Sequence, residues 1–92
     1  MKQIVAAANT VVPAFLALEA LGFLLEVTNG ERPACRATRD GESYVADDAL
    51  TVLGLVRLVE LRGWDWAATD AEINAALQRF PLGRLAGTDS PR

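Results

Sequence analysis

The segment 48–62 constrains the fold of this chain more than any other part of the sequence. Drawn as a helix, it is built from Ala, Leu and Val, and its few polar residues drift around the axis instead of forming one stripe. A helix on a protein surface shows one polar face, whereas a helix that is apolar nearly all round is buried on several sides. We therefore expect this helix to be covered from more than one direction.

A chain of this size has few residues of its own with which to bury such a helix. For 92 residues and 9.9 kDa, surface scaling gives about 5,200 Å² folded and about 14,000 Å² unfolded, so roughly 64% of the surface is buried. Hydrophobic residues make up 51% of the chain, against a usual share of about 45–50% that already counts Gly. A partner subunit is the ordinary way to cover such a surplus, and a ligand cavity is a less common one.

Charge and residue usage exclude several classes of function. The net charge of −3 and the pI near 4.8 argue against nucleic-acid binding, which depends on neutralising phosphates. Arg outnumbers Lys eight to one, which is the usage expected from a GC-rich bacterial genome. The chain has no His, so His-based triads are excluded and the commonest metal ligand is missing. We expect no cofactor and no metal.

The apolar N-terminal segment raises the question of targeting. Residues 4–25 are long enough to span a bilayer, but Pro13, Glu19 and Gly22 interrupt the run, so we expect neither a membrane span nor a secretory signal. Cys35 is the single cysteine, which allows no internal disulfide. We expect a cytoplasmic protein.

Local signals predict a helix followed by a sheet. Residues 2–8 fit either a short strand or a first helical turn, and a helix over 11–21 follows, with Thr10 as its cap and Gly22 as its stop. Strands are predicted over 23–28, 34–39 and 42–46, joined by two-residue turns at Asn29-Gly30 and Asp40-Gly41. The second turn places Arg39 opposite Glu42.

The same two turns predict which residues share a face of the sheet. One face carries Phe23, Leu25, Val27, Ala34 and Val45 with Arg36, Thr38 and Ser43, and the other carries Leu24, Cys35, Ala37, Tyr44 and Ala46 with Glu26 and Arg39. Because neither face is cleanly polar, we expect both to be partly covered.

Two helices complete the predicted fold. Asp47 or Asp48 caps the helix that ends near Gly63, and Thr69 with Glu72 forms a capping box that opens a helix over 70–80. We expect the helices to pack on the sheet, with the long one central. The prediction is a single α+β domain over 1–80, in the order helix, three-stranded antiparallel meander, two helices. Residues 81–92 are predicted to form a loosely ordered tail.

The remaining chemistry-bearing residues each have an ordinary explanation. Cys35 is either a small buried hydrophobe or a nucleophile whose thiol is acidified by nearby arginines. The carboxylates fall at two helix starts, where acids stabilise the positive end of the dipole. The connection 63–69 is longer than that of a helix-turn-helix, which disfavours DNA binding.

A candidate interaction surface is also predicted. Aromatic residues with a polar group are enriched at binding hot spots, and the two tryptophans stand close together after the long helix. The alternative is that they seal the joint between the last two helices. The surface comprises Trp64, Trp66, Arg36, Asp65 and Asp70.

Three functions fit these observations. The first is a small non-catalytic bacterial interaction module that self-associates as a homodimer. The second is an acidic inhibitor or immunity-type protein that masks a basic partner through Asp47, Asp48, Asp65, Asp70 and Glu72. The third is a protein that binds a small apolar ligand between helix and sheet, with Arg36 holding a carboxylate.

Overall fold

The computed structural model describes residues 1–81, and these residues confirm the predicted α+β order. A 3₁₀ turn, Ala8–Thr10, leads directly into α1, Val11–Ala20. The sheet consists of β1, Leu24–Thr28; β2, Ala34–Arg39; and β3, Glu42–Ala46, in the spatial order β1-β2-β3. Helices α2, Ala49–Arg62, and α3, Asp70–Arg79, follow. Except for Pro81, the predicted tail lies outside the described residues.

Local signals set most helix ends as predicted, but the prediction that Thr10 caps α1 is wrong, because its backbone is already helical and its hydroxyl donates to the Ala7 carbonyl at 2.6 Å. Gly22 has a φ of +93°, which ends α1 in the left-handed region. The carboxylate of Asp48 accepts a hydrogen bond from the Thr51 amide at 2.8 Å and so caps α2. At α3, the Thr69 hydroxyl and the Glu72 carboxylate each accept a bond from the other residue's amide, which completes the capping box.

The β2–β3 hairpin also forms as predicted. Arg39 pairs with Glu42 across the strands. Between them, Asp40 and Gly41 have φ values of 50° and 81°. Two successive residues with positive φ make the type of turn that matches the twist of a hairpin.

The predicted register of β1 is wrong. Thr28 pairs with Ala34 across a five-residue loop, whereas a two-residue turn at Asn29-Gly30 would pair Thr28 with Glu31. The shift is three residues, and an odd shift moves every side chain of a strand to the opposite face. Pro33 gives the physical reason, because it lacks the N–H that a position inside the ladder requires.

Both α1 and α2 pack on one face of the sheet. With the corrected register, this face carries Leu25, Val27, Cys35, Ala37 and Tyr44. The buried core is formed by Ala14, Leu18, Phe23, Cys35, Ala37, Tyr44, Ala49, Val52 and Val56. The opposite face, with Glu26, Arg36 and Val45, is exposed, so the expectation that both faces are partly covered is wrong for residues 1–81.

Helix α2 is central and packs against both the sheet and α1, but its outer side is exposed. Ala49, Val52 and Val56 are buried, whereas Arg57 and Leu61 are exposed. The described part of the chain therefore covers α2 from two directions, as expected, and leaves its outer side open.

The last helix departs from the expected packing. Helix α3 contributes no buried residue, so the prediction that it packs on the sheet is wrong. At the other end, residues 1–6 have no regular secondary structure, and neither interpretation of residues 2–8 holds before the 3₁₀ turn. Of the helices within residues 1–81, none has the length and apolar character needed to cross a bilayer.

Candidate interaction surfaces

The two tryptophans lie where α2 meets the edge of the sheet. Trp64 stacks on Tyr44, with ring centroids 5.5 Å apart and an interplanar angle of 27°. Tyr44 in turn meets Phe23 edge to face at 5.6 Å. Trp64 therefore packs on β3 and does not seal the joint between α2 and α3, and both Trp64 and Trp66 remain about half exposed.

These side chains surround a small apolar cavity with a volume of about 200 Å³. We call the surface formed by the residues that line it the tryptophan face, and these residues are Ser43, Tyr44, Val45, Leu55, Leu58, Val59, Trp64 and Trp66. One wall is the free edge of β3, and the other is the C-terminal half of α2. An exposed aromatic pair beside partly buried aliphatic residues has the composition of an interaction hot spot.

Backbone and arginine contacts hold the tryptophans in place. Gly63, with a φ of +81°, turns the chain at the end of α2, and its amide donates to the Val59 carbonyl at 2.6 Å. Arg62 donates from Nε to the Trp66 carbonyl at 2.9 Å and from Nη2 to the Glu72 carboxylate at 3.2 Å. Arg62 thus fixes both the connection and the start of α3.

Tyr44 is the buried polar group of this region, and its hydroxyl is satisfied. It donates to Glu42 Oε1 at 2.7 Å. Burial, together with the hydrogen bond to Glu42, raises the pKa of Tyr44 to about 12. The phenol therefore stays neutral and acts as a fixed donor below the edge of the sheet.

Arg39 connects the sheet to the end of α1. Its Nη1 donates to the Leu21 carbonyl at 2.8 Å, its guanidinium lies over the Phe23 ring, and Nη2 pairs with Glu42 at 3.7 Å. Sequence reasoning predicted the pair with Glu42 but missed the other two contacts. The alternation of side chains predicts Arg39 on the same face as Cys35 and Ala37. A charged residue on an apolar face is the signal from which the two missed contacts could have been predicted.

The structure brings together only part of the predicted surface. Asp65 is exposed between the tryptophans, and Asp70 is exposed at the first position of α3. Arg36 lies on the open face of the sheet, where Nε is 3.9 Å from Glu26 Oε1. Arg36 is the cross-strand partner of Val45, but it does not line the tryptophan face.

The carboxylates form two separate groups. Asp47 and Asp48 stand at the start of α2, whereas Asp65, Asp70 and Glu72 follow its end. Fourteen helical residues at 1.5 Å each separate the groups by about 21 Å. Hydrogen bonds from Thr51 lower the pKa of Asp48, and the Thr69 amide with Arg62 lowers that of Glu72. In residues 1–81, no three His, Cys, Asp or Glu residues come together as a metal site would require.

Cys35 is a core residue. It is 2% exposed, and burial, with a smaller contribution from the negative charge of Asp48, raises the pKa of its thiol. The alternative that nearby arginines acidify this thiol is therefore wrong. Arg36 and Arg39 lie on opposite faces of β2, as the alternation predicts.

A second apolar surface lies on the outer side of α1. Val12, Leu16 and Ala20 are exposed at spacings of four residues, and we call them the α1 stripe. Ala14 and Leu18 are buried on the other side of the same helix. Both sides of α1 are thus apolar, and within residues 1–81 only one of them is covered.

An apolar cleft opens where the N-terminal segment meets α1 and α2. Its volume is about 510 Å³, and Ile4, Val5, Pro13, Leu50 and Leu53 are among the residues that line it. Arg36 is on the opposite side of the sheet. The prediction that Arg36 holds the carboxylate of a ligand between helix and sheet therefore does not apply to this cleft.

Comparison with known proteins identifies no relative of this chain. No protein-family model matches the chain, and neither a curated protein nor a solved structure shows significant similarity to it.

Proposed function

We propose that this chain is a small non-catalytic interaction module that self-associates as a dimer. The observation that carries the proposal is the distribution of apolar side chains within residues 1–81. Nine hydrophobic residues form the buried core, whereas thirteen large ones are exposed. Single exposed apolar residues are normal, but contiguous apolar patches mark interaction sites, and the α1 stripe and the tryptophan face are two such patches.

Burial of these patches would offset part of the cost of association. Full burial of one Val or Leu side chain contributes about 1.5–3 kcal/mol, and Val12 and Leu16 are each roughly 60% exposed. Association costs about 4–15 kcal/mol in lost translational and rotational freedom. Each copy of a symmetric dimer contributes the same residues, so the free energy gained by burying a stripe is counted twice when it is set against that cost.

The position of the carboxylates supports this function over that of an acidic inhibitor. A basic partner is best matched by one continuous acidic surface. Here the acids stand at opposite ends of α2, and the carboxylates of Asp48 and Glu72 already bind backbone amides of their own helices.

A non-catalytic role also agrees with the reactive groups. The sequence contains no His, and the thiol of Cys35 is buried with a raised pKa. A buried thiol in apolar surroundings is inert as a nucleophile.

Binding of a small apolar ligand is the second candidate. The cleft beside α1 has a volume of about 510 Å³, which falls in the range of about 300–1,000 Å³ typical of ligand sites. Native mass spectrometry of the purified chain tests this candidate. An added mass that organic extraction removes would support it, and the bare chain mass would count against it.

Sedimentation equilibrium over a wide concentration series tests the main proposal. We expect the mass of the full chain to rise toward twice 9.9 kDa with concentration and to fall on dilution. A chain that stays monomeric at every concentration up to the millimolar range would refute self-association.

A further inference from the structure

We propose that the free edge of β3 and the tryptophan face together bind a basic, extended peptide segment of a partner protein, which adds to the sheet as an antiparallel fourth strand. This inference goes beyond self-association and does not depend on it. When a peptide adds to the edge of a sheet, backbone hydrogen bonds give affinity, and pockets for alternate side chains give specificity. The surroundings of β3 offer both features.

The hairpin turn determines which backbone groups of β3 point outward. The bond across a β-turn joins its first and fourth residues, here Arg39 and Glu42. Because bonded and non-bonded pairs alternate along an antiparallel ladder, Tyr44 also bonds to β2. The N–H and C=O groups of Ser43 and Val45 therefore point away from β2. In the described part of the chain, no strand pairs with this side of β3.

The tryptophan face lies directly beside these outward groups. Ser43 and Val45 both line its cavity, which has a volume of about 200 Å³. Residues directly opposite each other in a sheet share a face, so a peptide residue opposite Tyr44 points toward α2 and into this cavity. The lining there is apolar and includes Leu58 and Trp66. We therefore expect the cavity to select one aliphatic side chain.

Charge distinguishes the two free edges of the sheet. β1 carries Glu26 at its centre, and a charged side chain on an edge strand opposes pairing with another chain. β3 has one charged residue, Glu42, which is at its first position and is paired with Arg39 at 3.7 Å. The rest of β3 has neither a charge nor a Pro. Of the two edges, β3 is therefore the one that can accept a further strand.

The carboxylates around β3 predict a basic occupant. Asp40 precedes the strand, Asp47 follows it and Asp65 lies between the tryptophans, and all three are exposed. Within the described residues none of the three has an ion-pair partner, whereas Arg57 and Arg62, the arginines of α2, are each paired with a glutamate. Lys or Arg at both ends of a bound segment meets this uncompensated negative charge. Acids at the two ends of a five-residue strand suit a short segment, although they do not form the continuous surface that would mask a whole protein.

The same charges disfavour a second copy of this chain as the occupant. Two β3 strands paired antiparallel about Tyr44 would place Asp47 of each copy opposite Gly41 of the other, beside Asp40 and Glu42. Like charges that meet across strands are destabilising. A basic segment from a different protein avoids this repulsion.

Selection from a random heptapeptide library displayed on phage tests the predicted sequence preference, with the full chain as the target. We expect the selected peptides to carry one aliphatic residue in the middle and Lys or Arg on both sides of it. Selection of acidic peptides, or of peptides without a shared pattern, overturns the proposal.

Proline substitutions at the two edges locate the bound peptide. Val45→Pro removes an outward N–H of β3 and leaves the bonds to β2 in place, and edge positions of this kind tolerate Pro. Val27→Pro is the matched control, because the same alternation directs the Val27 N–H away from β2. In fluorescence polarisation with the fluorescein-labelled consensus peptide, Val45→Pro should weaken binding at least about tenfold and Val27→Pro less than about twofold.

Changes in the peptide give a second test that does not depend on how the variants fold. In antiparallel pairing, the peptide residues opposite Ser43 and Val45 bond to β3, whereas the amide of the aliphatic residue between them points away. N-methylation of either flanking residue should therefore weaken binding at least about tenfold, and N-methylation of the aliphatic residue less than about threefold. Equal losses at all three positions overturn strand addition.

The remaining outcomes separate this inference from self-association. Circular dichroism checks that both proline variants fold. Binding that Val45→Pro retains, or that both variants lose equally, overturns the assignment to the β3 edge. A dimer that Val45→Pro dissociates overturns the choice of occupant, because a second copy then pairs with β3. A chain that sediments as a monomer and still binds the peptide refutes the proposed dimer and supports this inference.

Discussion

The guanidinium of Arg39 lies over the aromatic ring of Phe23, with Cζ 4.1 Å from the ring centroid. The same group donates to the Leu21 carbonyl at the end of α1. A residue from β2 thus holds the segment that connects α1 to β1. Lys cannot reproduce a planar group that stacks and donates at once.

We therefore expect Arg39→Lys to lower the free energy of unfolding by about 1 kcal/mol. Arg36→Lys is the matched control, because Arg36 is on the same strand but on the open face. Its effect should stay within about 0.5 kcal/mol. Urea denaturation of the two variants measures the difference, and equal losses would show that the Phe23 contact contributes nothing.

The pKa of Tyr44 predicts how stability changes at alkaline pH. The folded state raises this pKa to about 12, above the ordinary value of about 10. The contribution of the neutral phenol is therefore complete below pH about 10 and is lost as the pH rises through about 12. Tyr44 is the single tyrosine, so the tyrosinate absorbance band reports this group alone.

In a titration of the folded protein, we expect the tyrosinate band to appear near pH 12. In denaturant, the midpoint should return to about 10. Tyr44→Phe should remove the part of the alkaline loss of stability that lies between these two values. A midpoint near the ordinary value in the folded protein would contradict the burial of this hydroxyl.

The cap of α2 gives a comparison between adjacent carboxylates. Asp48 accepts the Thr51 amide, so Asp48→Ala should cost about 1 kcal/mol of stability. Asp47→Ala, the control one residue earlier, should cost much less. Thermal unfolding at neutral pH measures the stability of both variants. A larger loss for Asp47→Ala than for Asp48→Ala would show that Asp48 is not the cap of α2.

The lowered pKa of Asp48 adds a dependence on acid. Its contribution to stability is present above the ordinary pKa of about 4 and is lost as the pH falls through the lowered value. The difference between the wild type and Asp48→Ala should therefore shrink in acid. A difference that grows as the pH falls would contradict the cap.

Hydrogen exchange should separate α3 from the rest of the chain. Because α3 has no buried residue, its amides should exchange through local opening at much lower free energy than those around Val52 and Val56 in α2. Exchange followed by mass spectrometry resolves the two helices. Equal protection in both would mean that α3 is held by contacts beyond its capping box and the Arg62–Glu72 pair.

The sequence predicts the elements of this fold well because their ends are local. Asp48, Thr69 and Gly22 act through amides and dihedral angles within a few residues. The Asp40-Gly41 turn likewise sets the β2–β3 register without help from distant parts of the chain. Such signals act before any tertiary contact forms, so they can be identified in a single sequence.

The register of β1 and the directions of the tryptophans could not be obtained in the same way. At the first hairpin, the turn signal of Asn29-Gly30 competes with Pro33, and the pairing that places Leu25 beneath the helices prevails. Trp64 reaches Tyr44 because Gly63 turns the chain toward β3. Pro33 and Gly63 are local signals, but the pairing of β1 with β2 and the contact of Trp64 with Tyr44 join distant residues, which spacing along the chain does not encode.

The packing of α3 has a consequence for engineering. The core is complete without this helix, and the exposed residues Ala67 and Ala68 separate it from the tryptophans. A reporter domain inserted between these two alanines would extend the chain at a tolerant site, since it would interrupt no buried backbone. The sheet, with α1 and α2 packed on it, could then serve as a scaffold that presents the inserted domain without any change to the sheet.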